Sequence, residues 1–397
     1  MGVAPPGVRK LFRAALVIFV ITVVIGILNG TDVWDVPRNT LLTHVHAGTL
    51  GWITLSVFGG AIWMFGSPDD KSSNTLANFS IVALALYVLA FWSADLLSIE
   101  ETIQRPIGGT LAFIAMVWMF VWALRRKRRQ SWDVAEFGLI LALFFLVMGA
   151  VLGVMLGLQL AGTEIVAGEN ADRLGEAHPA AMVIGYVILS AVALIEWIIR
   201  KGTVPKLSES RSGMIQMLLV FLAGLLGMVG FLLGNDMLIQ LNVPLEVVGL
   251  IILLVRLRKL LAPSQWGGSI VNAMPRVSVI GLVFGIGLLA YVVSLFVGGS
   301  EIEEILPFLL ALDHVNFIAV VTNLIFAMMA VASDVSERAN RIIFWGTNVG
   351  IVGFVAGLVT ENATLKRIFT PILGLALLFG IYTYLTADEA QPAKVTV

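Results

Sequence analysis

The sequence predicts an all-α polytopic membrane protein of twelve transmembrane helices, arranged as three pseudosymmetric four-helix repeats. Three observations predict it. Apolar residues make up 58% of the 397 and charged residues 13%. The apolar residues gather into runs of about twenty, the length that crosses a bilayer. The four histidines of the chain fall at the starts of three such runs, at intervals that suggest repetition.

The first run, 11-29, follows Arg9, Lys10 and Arg13. It is long for a signal-peptide core and no small-residue cleavage site follows it, so it reads as a retained helix. Run 44-66 opens on His44 and His46. Runs 76-98 and 107-124 complete a first set of four, and the basic cluster Arg125 to Arg129 behind them reads as a cytoplasmic topology anchor. The second set is 135-158, 178-199, 213-235 and 243-261, with His178 opening its second run. The third is 277-297, 308-332, 341-359 and 367-386, with His314 near the start of its second run. Together they form one transmembrane domain with repeats at approximately 1-130, 131-262 and 263-397. Twelve crossings put both termini on one side. Taking that side as cytoplasmic places 20 of the 25 Lys and Arg there and leaves Arg38, Arg105, Arg173, Lys366 and Arg367 outside, the charge bias expected in a bacterial-type plasma membrane. All four histidines then lie towards the outer end.

Composition excludes several classes. A net charge of -1 with one short basic loop gives no footing for nucleic acid. The chain has no cysteine, which rules out disulfides, iron-sulfur clusters, thiolate-ligated haem and covalently attached c-type haem. A haem here has to be held by histidine, with fourteen methionines in reserve. Gly346, Gly350, Gly353 and Gly357 match small-xxx-small spacing and read as close helix packing. On the cytoplasmic half the helix interiors offer Thr54, Ser56, Ser190, Thr322 and Asn323 but no Lys, Asp or Glu at mid-depth, which argues against proton pumping from the cytoplasm.

Imidazole is costly in hydrocarbon and is the commonest metal ligand, so four histidines at one depth point to a buried metal or haem site. His46 and His178 are 132 residues apart, and His44 and His314 are 270 apart, close to twice that. Alignment on these intervals pairs His44-Val45-His46 with Glu176-Ala177-His178 and His314-Val315-Asn316. Residues two apart on a helix project about 200° apart. His46 is thereby expected to meet His178 across one gap between repeats, and His44 to meet His314 across another. Facing imidazoles are a natural axial pair for one or two b-type haems. A helix start also favours neutral imidazole, whose nitrogen lone pair stays free. Thr43, Glu176, Asp313 and Asn316 stand one or two residues away and are candidates to orient the rings by hydrogen bonding.

The stretch Thr43-His44-Val45-His46-Ala47-Gly48-Thr49-Leu50-Gly51-Trp52 resembles the His-x-His-x-Gly-x-Leu-Gly-Trp segment of the catalytic subunit of heme-copper oxidases, the cbb-type in particular. The resemblance is specific over about ten residues and architectural elsewhere. It implies twelve helices in three fours, a high-spin haem on His44 and a low-spin haem on His46. The family carries this segment on its tenth helix, whereas here it opens the second, so the match requires rotation by one repeat. Under rotation, His178 is similar to the low-spin partner on the family's second helix and His314 falls on its copper-binding helix. Without rotation, His178-Pro179 resembles the family's copper-ligand His-Pro on helix six. The family's copper centre uses three histidines including an adjacent pair, and no His-His occurs here, so copper is left short of donors.

The resemblance implies an oxidoreductase of the respiratory chain, transferring electrons and reducing oxygen or nitric oxide as a diatomic gas ligand, with a cytochrome or partner subunit as donor. Two alternatives stand beside it: a non-enzymatic haem protein of electron transfer or nitric-oxide response, and a solute transporter, for which threefold repeats would also serve.

Overall fold

A computed structural model describes residues 4–67, 70–97, 104–127, 132–166 and 169–389, so Arg128 and Arg129 of the basic cluster lie outside the described residues. Within them are twelve helices long and apolar enough to cross a membrane. We number them α1 (Gly7–Gly30), α2 (Arg38–Phe65), α3 (Lys71–Ser93), α4 (Gln104–Arg126), α5 (Val134–Leu160), α6 (Ala171–Ile199), α7 (Arg211–Leu233), α8 (Asp236–Leu257), α9 (Ile270–Val297), α10 (Ile302–Ala332), α11 (Glu337–Val359) and α12 (Ala363–Thr386). The fold is that of an all-α polytopic membrane protein. The first and last described segments meet at one end of the bundle, where Ser333–Asp334 pairs with Asp388–Glu389 and Arg9 is ion-paired with Glu389. We call this the termini end and its opposite the far end.

Burial sorts the helices into two classes. The most apolar windows of α2, α6 and α10 are 83%, 89% and 72% buried, against 33% to 50% for the other nine. Three central helices are therefore wrapped by nine that face lipid on one side, as expected where the outward faces meet hydrocarbon rather than water.

Each central helix changes pitch at the same place. A π-helical segment starts at residue 47 in α2 (Ala47–Thr54), at 181 in α6 (Ala181–Val187) and at 315 in α10 (Val315–Thr322), two intervals of 134. π-Helical turns widen the backbone bond from i→i−4 to i→i−5 and are most common at functional sites. The side chains follow the same register. Thr54 donates to the Thr49 carbonyl at 2.9 Å and Thr322 to the Phe317 carbonyl at 2.8 Å, each five residues back. At the bundle axis the Trp52 Nε1–H donates to Thr322 Oγ1 at 2.9 Å, and the Tyr186 hydroxyl donates to Thr54 Oγ1 at 3.3 Å. Trp52 and Tyr186 hold equivalent positions, as do Thr54 and Thr322, so these bonds are two sides of a threefold ring. The third side is apolar, Val320 and Ile188 standing at its two positions.

The outer helices close on this axis through small residues. A Cβ on Gly51 would overlap Ile18 of α1, and one on Gly185 would lie 2.5 Å from the ring of Phe145 of α5. Gly51 and Gly185 are again 134 apart, and Ile18 and Phe145 are 127 apart, the shorter interval reflecting different loops.

This register differs from the sequence alignment by two residues. The backbone equates His44 with His178 and leaves Leu312 at the third position; it equates His46 with His314 and leaves Ala180 at the third. Intervals read from histidines alone had matched unlike positions. The helix starts are corrected too: the helices carrying the histidines begin at Arg38, Glu169 and Ile302, so every histidine lies more than one turn inside its helix. The polar first turns fall below an apolar threshold yet are helical, and the helix-start field invoked for the imidazoles is correspondingly weak, since it fades beyond the first turn.

Candidate functional site

His44 and His314 face each other between the first and third repeats. Their ring centroids are 6.5 Å apart with planes inclined by 29°. Both rings line a cavity of about 330 Å³ walled by α1, α2, α10, α11 and α12. The walls are chiefly apolar, including Phe19, Val23, Phe317, Phe354 and Leu373, and Lys366 stands among them at the far end.

Each imidazole is fixed by its Nδ1. His44 Nδ1 lies 2.8 Å from the Thr22 carbonyl of α1, and His314 Nδ1 lies 2.7 Å from the Leu310 carbonyl of its own helix. A carbonyl only accepts, so each ring carries its proton on Nδ1 and leaves the Nε2 lone pair unused. Gly26 makes this possible: a Cβ there would come within 3.0 Å of His44 Cε1.

The second pair repeats the pattern. His178 Nδ1 lies 2.8 Å from the Gly149 carbonyl of α5, and a Cβ on Gly153 would come within 2.8 Å of His178 Cε1. Thr22 and Gly149 are 127 apart, as are Gly26 and Gly153. His46 Nδ1 lies 2.8 Å from the Leu42 carbonyl one turn back, as His314 does with Leu310. By the 134-residue register His178 takes the position of His44 and His46 that of His314, which sets these two on the gap between the first and second repeats. Aromatic rings back the second member of each pair: Phe354 stands 4.9 Å from His314, and Phe91 stacks on His46 at 3.9 Å. A cation caps this compartment too, since the Arg105 guanidinium lies 4.5 Å over Phe91 and donates to Asn39 Oδ1 at 2.7 Å.

The four sequence-predicted histidines are thus gathered two and two. The residues expected to orient them act elsewhere. Thr43 donates to the Asn39 carbonyl at 2.8 Å, Glu176 is exposed, Asp313 lines the cavity without holding a ring nitrogen, and Asn316 is buried with neither amide atom bonded. Backbone carbonyls hold all four rings, a role invisible to any search for polar side chains because every residue has one. Gly26 and Gly153 carried a usable signal in their 127-residue interval. A mid-depth acid also escaped notice: Glu246, ten residues from either end group Asp236 or Arg256 of α8, is fully buried.

The donor set accommodates one group and not another. With a nitrogen–metal bond of about 2.0 Å and roughly 1.1 Å from ring nitrogen to ring centre, two imidazoles on opposite sides of one metal have centroids about 6.2 Å apart. The observed 6.5 Å is close to that value, so His44 and His314 would be able to hold one metal between them. For copper of the oxidase type the donors are too few: among the described residues no three or more His, Cys, Asp or Glu converge. No protein-family model matches the chain, and no curated protein matches it.

Proposed function

We propose that this chain is an integral-membrane haem protein that carries electrons, with one b-type haem held by His44 and His314 and a second by His46 and His178. The observation that carries the reading is the pair of imidazoles 6.5 Å apart with both Nδ1 atoms tied to carbonyls and an apolar cavity around them. A bound haem supplies one-electron redox chemistry. The chain's part is to present two neutral imidazoles at fixed separation and exclude water with Phe19, Phe317 and Phe354, with Lys366, itself paired with Asp32, and Arg105 standing at the two mouths. If two histidines held each haem, no coordination position would remain for oxygen or nitric oxide, and the chemistry supplied would be electron transfer. An external cytochrome or partner subunit is the electron source this reading requires.

Purified protein should show a Soret band, a pyridine haemochrome spectrum of the b type, and no shift when the reduced form meets carbon monoxide. His44→Ala and His314→Ala should each open one iron or lose one haem. A colourless protein after expression with ample haem supply would overturn the reading and favour the transporter.

A further inference from the structure

The threefold register defines a third compartment, between the second and third repeats, in which Leu312 and Ala180 replace the histidine pair. It is not simply apolar. Asn316 takes the position of Gly48, which lines the His44–His314 cavity, and its amide oxygen and nitrogen are both buried without a hydrogen-bond partner. Asparagine caps α8 and α12 at equivalent positions, Asn235 and Asn362, 127 residues apart. By that interval Glu246 takes the position of Leu373, another lining residue. Glu246 is 0% exposed and both carboxyl oxygens are unpartnered. One turn nearer the far end, Asn242 is likewise 0% exposed with both amide atoms unpartnered, beside Gly227 and Ile184.

A lone carboxylate in such surroundings is far more costly than a carboxylic acid. The charged side chains of the neighbouring helices stand at helix ends or are engaged elsewhere: Arg211 opens α7, Arg276 of α9 is bonded to the Leu260 and Asn272 carbonyls, and Asp313 of α10 lines the His44–His314 cavity. Along its own helix Asp236 and Arg256 are each ten residues off, about 15 Å of rise. Arg256 is already engaged by Glu196 and Gln216. A single carboxylate cannot supply the ligands a divalent cation demands.

We propose that Glu246, buried with both carboxyl oxygens unpartnered at the third compartment, is a proton-binding site. The site stands whether or not the histidine compartments hold haem. Dicyclohexylcarbodiimide, which modifies protonated acids in apolar surroundings, provides the test on the intact chain in detergent. Peptide mapping should find Glu246 labelled ahead of the ion-paired Glu196, with labelling falling several-fold as pH rises and unchanged by added sodium chloride. Glu246→Gln should lose that label and melt no lower than wild type, because a neutral isostere replaces a neutral acid. Absence of label at Glu246 in folded protein, or its protection by sodium but not by choline, would overturn the assignment. So would a large fall in the melting temperature of Glu246→Gln alongside unlabelled wild type.

Discussion

Single residues decide whether each histidine can do its work. Gly153 leaves room for the His178 ring, so Gly153→Ala should dislodge it; under the proposed two-haem arrangement, difference spectra should then change for the His46–His178 haem and not for the His44–His314 haem. Glu196, wholly buried, holds Arg256 and also accepts from Arg200 at 2.8 Å. Removing one partner of a buried pair typically costs about 3–5 kcal/mol, and Glu196→Ala is expected to lower the thermal midpoint accordingly. At the far end the Lys366 ammonium and Arg367 guanidinium hold the Asp32 carboxyl below the usual carboxylate range. A depressed pKa gives stability that is fully present above the ordinary value of about 3.9 and is lost as pH falls through the lowered one. Thermal stability of Asp32→Asn and wild type should therefore differ at pH 7 and converge only in strong acid. The four histidines were legible from sequence because imidazole is rare in hydrocarbon. Their carbonyl partners and the enclosing glycines were not, since a backbone group has no sequence signature.

At the scale of elements, the π-helical segments are the feature around which the three central helices are matched. The bonds from Trp52 to Thr322 and from Tyr186 to Thr54 tie α2 to α10 and α6 to α2. Thr322→Val leaves the buried indole N–H without an acceptor, which should cost roughly 1–3 kcal/mol in unfolding measured in detergent. The twelve helices could be read from apolar runs, with boundaries displaced where charged first turns were counted as loop. The π segments could not, because nothing in a run such as Ala-Gly-Thr-Leu-Gly-Trp separates i→i−5 bonding from ordinary helix. Their 134-residue interval is nevertheless what corrects the alignment, since it is set by backbone geometry and not by residue type.

Across the whole molecule, the 134-residue register of the central helices sets out three equivalent stations filled by different residues. Two hold paired imidazoles with a cation at the mouth, and the third holds leucine, alanine and an unpaired acid. Helical spacing put His44 and His46 on opposite faces, and a ring of three repeats was needed to expect the pairs His44–His314 and His46–His178; the assignment of all four to equivalent stations required the fold. Pyridine haemochrome titration of wild type and histidine variants tests this arrangement most directly. Wild type should carry about two haems per chain. His44→Ala and His314→Ala should perturb one and the same haem, His46→Ala and His178→Ala the other, and a double substitution across compartments should perturb both. If no haem is bound, or if His44→Ala and His178→Ala perturb a single shared haem, the two-compartment account is wrong.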